Sequence, residues 1–225
     1  MPAKTDYLEN KLIDAFWRAQ SSLVIGSVKL AWVATATTVT APTFYLGLLN
    51  VLIRNNSQAF SLGDFTVLAD SSAVLHLMKC TTAGTTGSSY TPGAIANNAT
   101  VNDGTVVWTD QYAALEAGTG LPAEFTGGSY ARQGVTAGMT SAGFAGTQSA
   151  GSTTASTGTG GTTSNNATIT FTNMPAGNAG VFAWYDASSA GNMLEYGILT
   201  SAPVPIASGA TVSFAAGALT IREDD

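Results

Sequence analysis

The fold is decided by the run Val181-Phe182-Ala183-Trp184-Tyr185, which carries an apolar or aromatic side chain at every position. Side chains of a strand alternate between the two faces of its sheet, so this run predicts a strand that is covered on both faces. Either a second sheet or another subunit can provide the second cover. The run therefore predicts the centre of an all-β sandwich or jelly roll.

Short β-rich runs on either side extend this pattern. Clusters of Gly, Asn and Ser separate them, as is typical of turns, and two such turns lie at 188–192 and 208–209. The predicted strands are Phe44–Leu49, Tyr130–Thr136, Ala167–Thr172, Gly180–Tyr185, Leu194–Thr200, Thr211–Phe214 and Ala218–Arg222. We predict a mainly β fold: an antiparallel β-sandwich or jelly-roll-like core with one N-terminal amphipathic helix and an inserted small β domain.

The N-terminal helix is predicted from its start signal and its apolar spacing. Asp6 is placed to cap it, and Glu9 follows three residues later as in a capping box. Apolar residues then recur on one face of the helix, at Leu8, Leu12, Ile13, Phe16 and Trp17. This stripe either covers the core of the chain itself or docks on a partner.

The chain divides into a discontinuous core and two interruptions. Residues 1–55 and 113–225 form the predicted sandwich, and residues 56–112 form the inserted small β domain. The insert has strand-like runs at Phe60–Val67, Val74–Cys80 and Thr105–Trp108. Residues 141–166 are mostly Gly, Ser, Thr and Ala, and this composition predicts a flexible surface loop or an arm that orders on a neighbour.

Composition restricts the classes of partner. Of 225 residues, 8 are basic and 14 acidic, so the net charge is −6 and nucleic-acid binding is not expected. Apolar runs are too short for a membrane span and the start is too charged for a signal peptide, so we expect a soluble protein made in a cytoplasm. Gln133–Tyr185 contains no charged residue, which predicts burial against neighbouring subunits.

Residues suited to catalysis are few. His76 is the only histidine and lies four residues before the only cysteine, Cys80. On an extended strand their side chains would be about 13 Å apart, too far to hydrogen-bond. A zinc site would lack two further ligands. The carboxylates that leave glycoside hydrolysis open are Asp64, Asp103, Asp186 and Glu195. We expect no enzymatic activity, no cofactor and no metal.

A family resemblance rests on segments from both ends of the chain. They are Asp6–Leu12, Pro42–Leu49, Gly127–Gln133, Phe182–Ala187, Gly191–Leu194, Tyr196–Gly197 and Ser213–Ile221. In this order they resemble a family of tailed-phage virion proteins often labelled tail fibre proteins. The resemblance implies a virion structural protein of a tailed bacteriophage.

The insert resembles a short module that recurs in phage structural proteins. The resemblance lies in Leu62–Phe65, Lys79–Gly87 and Asp103–Trp108. The usual module has a Pro and a Trp after its glycine turn, whereas this chain has Tyr90-Thr91-Pro92-Gly93. The module is often thought to bind saccharide, so Tyr90 and Trp108 either stack on a sugar or fill the small core of the insert.

The predicted role follows from shape and from the uncharged stretch. Fibre shafts are long and repetitive, but this chain has no internal repeat. We therefore predict a capsid decoration or cement protein, bound to the outer surface of the phage head and stabilising it. The alternative is a globular tail, tail-fibre or tail-tip component involved in host attachment.

The expected partners follow from this role. They are the major capsid protein, further copies of the chain in a trimer, and a host surface saccharide bound through the insert. The candidate contacts with the capsid or with other subunits are Tyr7, Leu8, Leu12, Phe16, Trp17 and Phe144. The candidate outward-facing insert residues are Tyr90 and Trp108.

Overall fold

The computed structural model describes residues 4–20, 23–25, 28–30 and 41–223. Strands account for 38% and helices for 8% of the residues, so the mainly β prediction is confirmed. The elements are α1 (Asp6–Phe16), β1 (Leu23–Ile25), β2 (Val28–Leu30), β3 (Thr43–Asn50), β4 (Ala59–Phe60), β5 (Phe65–Ala69), β6 (Leu75–Thr82), β7 (Gly84–Thr85), β8 (Thr100–Asp103), β9 (Val106–Asp110), α2 (Tyr112–Ala117), β10 (Gln133–Thr136), β11 (Thr162–Ser164), β12 (Ile169–Met174), β13 (Gly177–Tyr185), β14 (Met193–Ile198), β15 (Val204–Ile206), β16 (Ala210–Phe214) and β17 (Thr220–Arg222). In the part of the chain described here, no helix has the length and apolar character of a membrane span.

The apolar run that decides the fold lies in β13, at the centre of a five-stranded antiparallel sheet. The order is β10-β3-β13-β14, and β15 pairs with the start of β13. β3 lies along β13 from Asn50, opposite Ala179, to Tyr45, opposite Tyr185. Every residue of β13 from Ala179 onward is buried. Both faces of the strand are therefore covered, as the sequence predicts.

One face of this sheet meets α1 and the pair β12–β16. Phe182 and Trp184, alternate residues of β13, belong to this core. The indole of Trp17, the C-cap of α1, lies 6.2 Å from that of Trp184, between ring centroids. The ring of Phe144 lies 5.3 Å from each of the two indoles. Each fully buried large apolar side chain contributes about 1.5–3 kcal/mol, so this aromatic cluster is a main source of stability.

The inserted segment covers the opposite face of the sheet. Val181 of β13 packs in one apolar cluster with Val67 of β5, Leu77 of β6 and Leu115 of α2. The second cover of the central strand is thus a sheet of the same chain rather than another subunit. This arrangement is a sandwich in which the central sheet lies between two apolar layers.

The insert builds a sheet of its own, with strand order β5-β6-β9-β8. Its core includes Cys80 and Trp108. Arg54, in the connection that follows β3, donates to the two carboxylate oxygens of Asp103 at 2.8 and 2.9 Å. The boundaries 56–112 of a separate domain stay a prediction, because this segment also shares the apolar cluster around Val181 with the central sheet.

The start of α1 differs from the prediction. Thr5 is the N-cap, its side chain makes no capping hydrogen bond, and Glu9 N–H donates to Thr5 O at 3.0 Å. Asp6 is the first helical residue, and its Oδ1 instead accepts from Gly160 N–H at 3.3 Å. The predicted capping box at Asp6 and Glu9 is wrong, because a contact with a distant segment occupies the Asp6 carboxylate.

The Gly/Ser/Thr-rich segment 141–166 lies against α1 of its own chain. Residues spaced by four along α1 and the turn that follows it bind the segment, namely Asp6, Asn10, Asp14 and Arg18. Ser156 N–H donates to Asp14 Oδ2 at 2.8 Å, and Arg18 Nε donates to Phe144 O at 2.9 Å. Hydrogen bonds therefore position a segment whose apolar area is too small to do so.

Candidate functional site

The predicted contact residues on and near α1 have three different environments. Tyr7 is 53% exposed. Leu8, Leu12 and Phe16 are half-buried. Trp17 and Phe144 are buried in the core beside the central sheet, so neither reaches the surface of the monomer. The apolar stripe of the helix mainly covers the chain's own core, and only its Tyr7 end stays open.

The aromatic residues of the insert are mostly covered. Trp108 is 0% exposed, packs edge-on against Phe60 at 4.8 Å between ring centroids, and donates from Nε1 to Asp103 at 3.4 Å. Tyr90 is half-buried, with its ring 5.6 Å from the guanidinium carbon of Arg54. Burial raises the pKa of the Tyr90 hydroxyl. Neither ring offers an open platform for a sugar.

The two residues best suited to nucleophilic or metal chemistry serve the insert's structure. His76 Nδ1 lies 2.9 Å from Asp110 Oδ2. Cys80 is buried, its thiol donates to Thr82 O at 3.3 Å, and burial raises its pKa. Among the described residues, no group of three or more His, Cys, Asp or Glu could hold a metal ion.

Five residues meet in what we call the Arg132 cluster: Gly47, Glu124, Tyr130, Arg132 and Tyr185. All but Glu124 belong to segments that carry the family resemblance. Arg132 Nη2 donates to Glu124 Oε1 at 2.6 Å, and its guanidinium carbon lies 3.4 Å from the centroid of the Tyr185 ring. The Tyr130 hydroxyl donates to Glu124 Oε2 at 2.9 Å. A Cβ on Gly47 would lie 2.8 Å from that same Glu124 oxygen. Glycine is therefore required there for the carboxylate to approach β3.

Arg132 also fixes the turn between β13 and β14. Its Nη1 donates to the carbonyls of Ala187 and Ala190 at 2.8 and 2.6 Å. Asp186 accepts from the Asn192 backbone and side chain, both at 2.7 Å, and these bonds lower the pKa of Asp186. The Arg132 side chain is 8% exposed. These contacts make the cluster a clamp on the hairpin rather than an open binding site.

An open cleft lies beside this hairpin, along β14, with a volume of about 460 Å³. We call it the β14 cleft; its lining residues include Lys4, Tyr112, Glu116, Met193–Tyr196, Arg222 and Glu223. The Tyr196 hydroxyl donates to Glu116 Oε1 at 2.5 Å. Sequence reasoning missed this cleft, because its walls come from four distant parts of the chain.

The comparison with protein families gives one match. The family model described as Podophage GP4 fiber I protein gp80, Gp80, matches residues 88–222, more than half of the chain. The chain belongs to the Gp80 family. It is therefore a tailed-phage virion protein of the tail-fibre type, which confirms the family that the resemblance indicated. No curated protein and no solved structure matches the chain.

The Gp80 match includes both features described above. Of the Arg132 cluster it covers Glu124, Tyr130, Arg132 and Tyr185, and only Gly47 precedes it. Of the β14 cleft it covers the residues from α2, β14 and β17, while Lys4 and Glu223 lie outside. The part of the chain that is similar to Gp80 thus carries the clamp, the hairpin and most of the cleft.

Proposed function

We propose that this Gp80-family chain is a globular part of a phage tail fibre that takes part in host attachment. The observation that carries this proposal is the match to a fiber protein over residues 88–222. The matched range builds an open cleft beside a clamped hairpin. A rigid scaffold that presents an open cleft suits recognition of an external surface.

The folded chain gives less support to a location on the head than the sequence does. In the uncharged stretch Gln133–Tyr185, Phe144 and β13 from Ala179 onward are buried inside the monomer, and Trp17, which follows α1, is buried with them. Burial on a capsid is therefore not needed to explain the lack of charge at Phe144 and in β13, or the apolar stripe of the helix. For this reason we favour a location in the tail over one on the head.

We also propose that the chain acts by binding, without catalysis. Its one histidine is buried against Asp110, and its one cysteine lies in the core of the insert. A general base must reach the proton that it abstracts, and a buried, paired imidazole does not meet that requirement. Assaying purified protein against host polysaccharide for released reducing ends checks this, and sustained turnover would contradict it.

Capsid decoration is the second candidate. Tyr7, together with the half-buried Leu8 and Leu12, leaves part of the α1 stripe open at the surface. A patch of this kind could contact the major capsid protein, with the chain in a trimer that follows the local symmetry of the shell. Binding only the assembled shell would stabilise the head by mass action.

Copy number in purified virions separates the two roles. A fibre component should be present in a small multiple of the tail's symmetry, whereas a decoration protein that binds as a trimer should approach the number of capsid subunits. Quantitative mass spectrometry with isotope-labelled peptides of this chain and of the major capsid protein gives the ratio. A ratio near one copy per major capsid protein would contradict the proposed function.

Particles that lack the protein provide an independent check. We expect them to adsorb poorly to cells and to keep the head's thermal stability. Particles that adsorb normally but burst at a lower temperature would assign the protein to the head.

A further inference from the structure

The shape of the β14 cleft indicates what it can contact. Four consecutive residues, Met193–Tyr196, line it, although neighbouring side chains of a strand point to opposite faces. The cleft therefore runs along the edge of the strand. Among the described strands, β14 pairs only with β13, so its other edge lies along the cleft. An extended polar molecule could hydrogen-bond along this edge.

One wall of the cleft presents an aromatic ring on a fixed backbone. Tyr112 is 42% exposed. Its N–H donates to Asp110 Oδ1 at 3.0 Å, and the next N–H, of Ala113, donates to Asn98 Oδ1 at 2.8 Å. The start of α2 is thus positioned by two side chains of the insert. An exposed ring with an immobilised backbone is a preorganised stacking surface.

The charges around the cleft indicate which molecules fit. Three carboxylates line the cleft, those of Glu116, Glu195 and Glu223, against the two cations Lys4 and Arg222. Glu116 accepts from the Tyr196 hydroxyl and Glu223 from Trp17 Nε1, and each of these two carboxylates has further acceptor sites. Carboxylate oxygens accept hydrogen bonds from hydroxyl groups, and the cations donate to ring and acetamido oxygens. A carboxylate excess at the cleft and a net charge of −6 over the chain both repel anionic ligands.

We propose that the β14 cleft binds a neutral saccharide chain, with a sugar ring stacked on Tyr112 and hydroxyl groups bound by the carboxylates and by the edge of β14. A volume of about 460 Å³ accommodates two or three sugar rings. The choice of a saccharide rests on the proposed host-attachment function. The saccharide site is thereby placed at the junction of insert and central sheet, rather than on Tyr90 and Trp108.

The test uses the full chain, labelled with ¹⁵N, and four trisaccharide probes. Maltotriose and N,N′,N″-triacetylchitotriose are neutral, and sialyllactose and trigalacturonate are anionic. We expect at least one neutral probe to shift the amide signals of Met193–Tyr196 with a dissociation constant of about 1 mM or tighter. The anionic probes should bind more weakly than the neutral one.

Two tyrosine variants assign the binding to the cleft. Tyr112→Ala should raise the dissociation constant of the neutral probe about tenfold. Tyr112→Phe keeps the ring and should bind the probe as the natural chain does. Tyr7→Ala is the matched control, because Tyr7 is an exposed tyrosine outside the cleft, at 53% against 42% for Tyr112. Tyr112 is a surface side chain, so the variants should retain the signal dispersion of the folded protein.

Three results would each overturn the saccharide site. They are the absence of any shift at Met193–Tyr196 with either neutral probe, tighter binding of an anionic probe, or equal weakening by Tyr7→Ala and Tyr112→Ala. Virion copy number tests the fibre role separately. If the protein lies in the tail but binds no saccharide, only the saccharide site is wrong. If it binds saccharide but lies on the head, only the proposed fibre function is wrong.

Discussion

Arg18→Met should reveal how strongly α1 depends on a buried ion pair. Arg18 Nη1 lies 2.5 Å from Asp14 Oδ1, and the two side chains are 0% and 1% exposed. Arg18 also donates to the carbonyls of Phe144 and Ser152, at 2.9 and 3.3 Å. Methionine keeps an unbranched apolar stem, so the substitution removes the charge and the donors with little loss of packing.

The expected cost follows from the carboxylate that is left behind. Removing one partner of a buried pair costs about 3–5 kcal/mol, because the other charge stays buried without compensation. Asp14 would still accept from Ser156 N–H and from the Ser156 hydroxyl, at 2.8 and 2.6 Å. We therefore expect the lower end, about 3 kcal/mol of unfolding free energy. For a chain of this size that corresponds to a Tm lower by about 6–12 °C.

Urea unfolding at pH 7 and scanning fluorimetry measure this loss, and Lys11→Met provides the control. Lys11 lies on the same helix, with its ammonium 5.8 Å from the centroid of the exposed Tyr7 ring, and its loss should change stability by about 0.5 kcal/mol or less. The double variant Asp14→Asn with Arg18→Met should be more stable than Arg18→Met alone, because no buried charge remains. A cost below about 1 kcal/mol for Arg18→Met, or additivity of the two changes, would refute the buried-pair reasoning.

Two further substitutions test the β core and the insert. Gly197→Ala should cost about 1–3 kcal/mol, because its Cβ would collide with the Phe182 ring, whereas Gly93→Ala has open space and should be neutral in the same urea experiment. Burial would raise the pKa of Asp103, but its hydrogen bonds, led by that from Arg54, outweigh burial and lower the pKa. The contribution of the Asp103 carboxylate to stability is therefore present above about pH 4 and is lost as pH falls through its lowered folded pKa. Asp103→Asn should thus destabilise the protein more at pH 7 than at pH 3. An equal loss at both pH values would contradict that assignment.

The strands with alternating or fully apolar sequence were predictable. β13, β3 and β16 lie within a few residues of their predicted bounds, because their side chains meet a core on at least one face. The strands that sequence reasoning missed have no such pattern. β11 is Thr162–Ser164, which carries no large apolar residue and pairs with β17 through the backbone. Backbone pairing with a distant strand leaves no trace in local periodicity.

The position of segment 141–166 could not be derived from its composition. Composition correctly indicates that the segment lacks apolar area, but it does not show the polar residues spaced by four along α1 that bind it. Asp14 and Arg18 are four residues apart, a spacing that allows an ion pair along a helix. The sequence could not show that this polar face of α1 is buried, because segment 141–166, which covers it, is also polar.

The proposed binding surface was the least predictable feature. Trp108 and Tyr90 were candidates because aromatic side chains suit sugars, but the same apolar area makes them suitable for the small core that the insert needs. The exposed ring, Tyr112, lies in a six-residue helix that is too short to show apolar periodicity. Whether an aromatic residue fills a core or faces solvent depends on contacts between distant segments, which a local pattern does not contain.

Part of the lack of charge between Gln133 and Tyr185 has a physical explanation that needs no partner. The stretch combines a segment whose hydroxyl and amide groups bind the polar side of α1 with the central strand, which is covered on both faces. A charge in the central strand, or at the buried positions 143–146 and 163–166 of the segment, would be buried, and burying an unpaired charge costs several kcal/mol. Positions 149–157 are mostly exposed, so burial within the chain does not account for the lack of charge there. Charge depletion is therefore expected in any stretch that is buried, whether by its own chain or by a neighbour. The exposed surface of this protein, where Tyr7 and Tyr112 lie, is thus where partners should be sought.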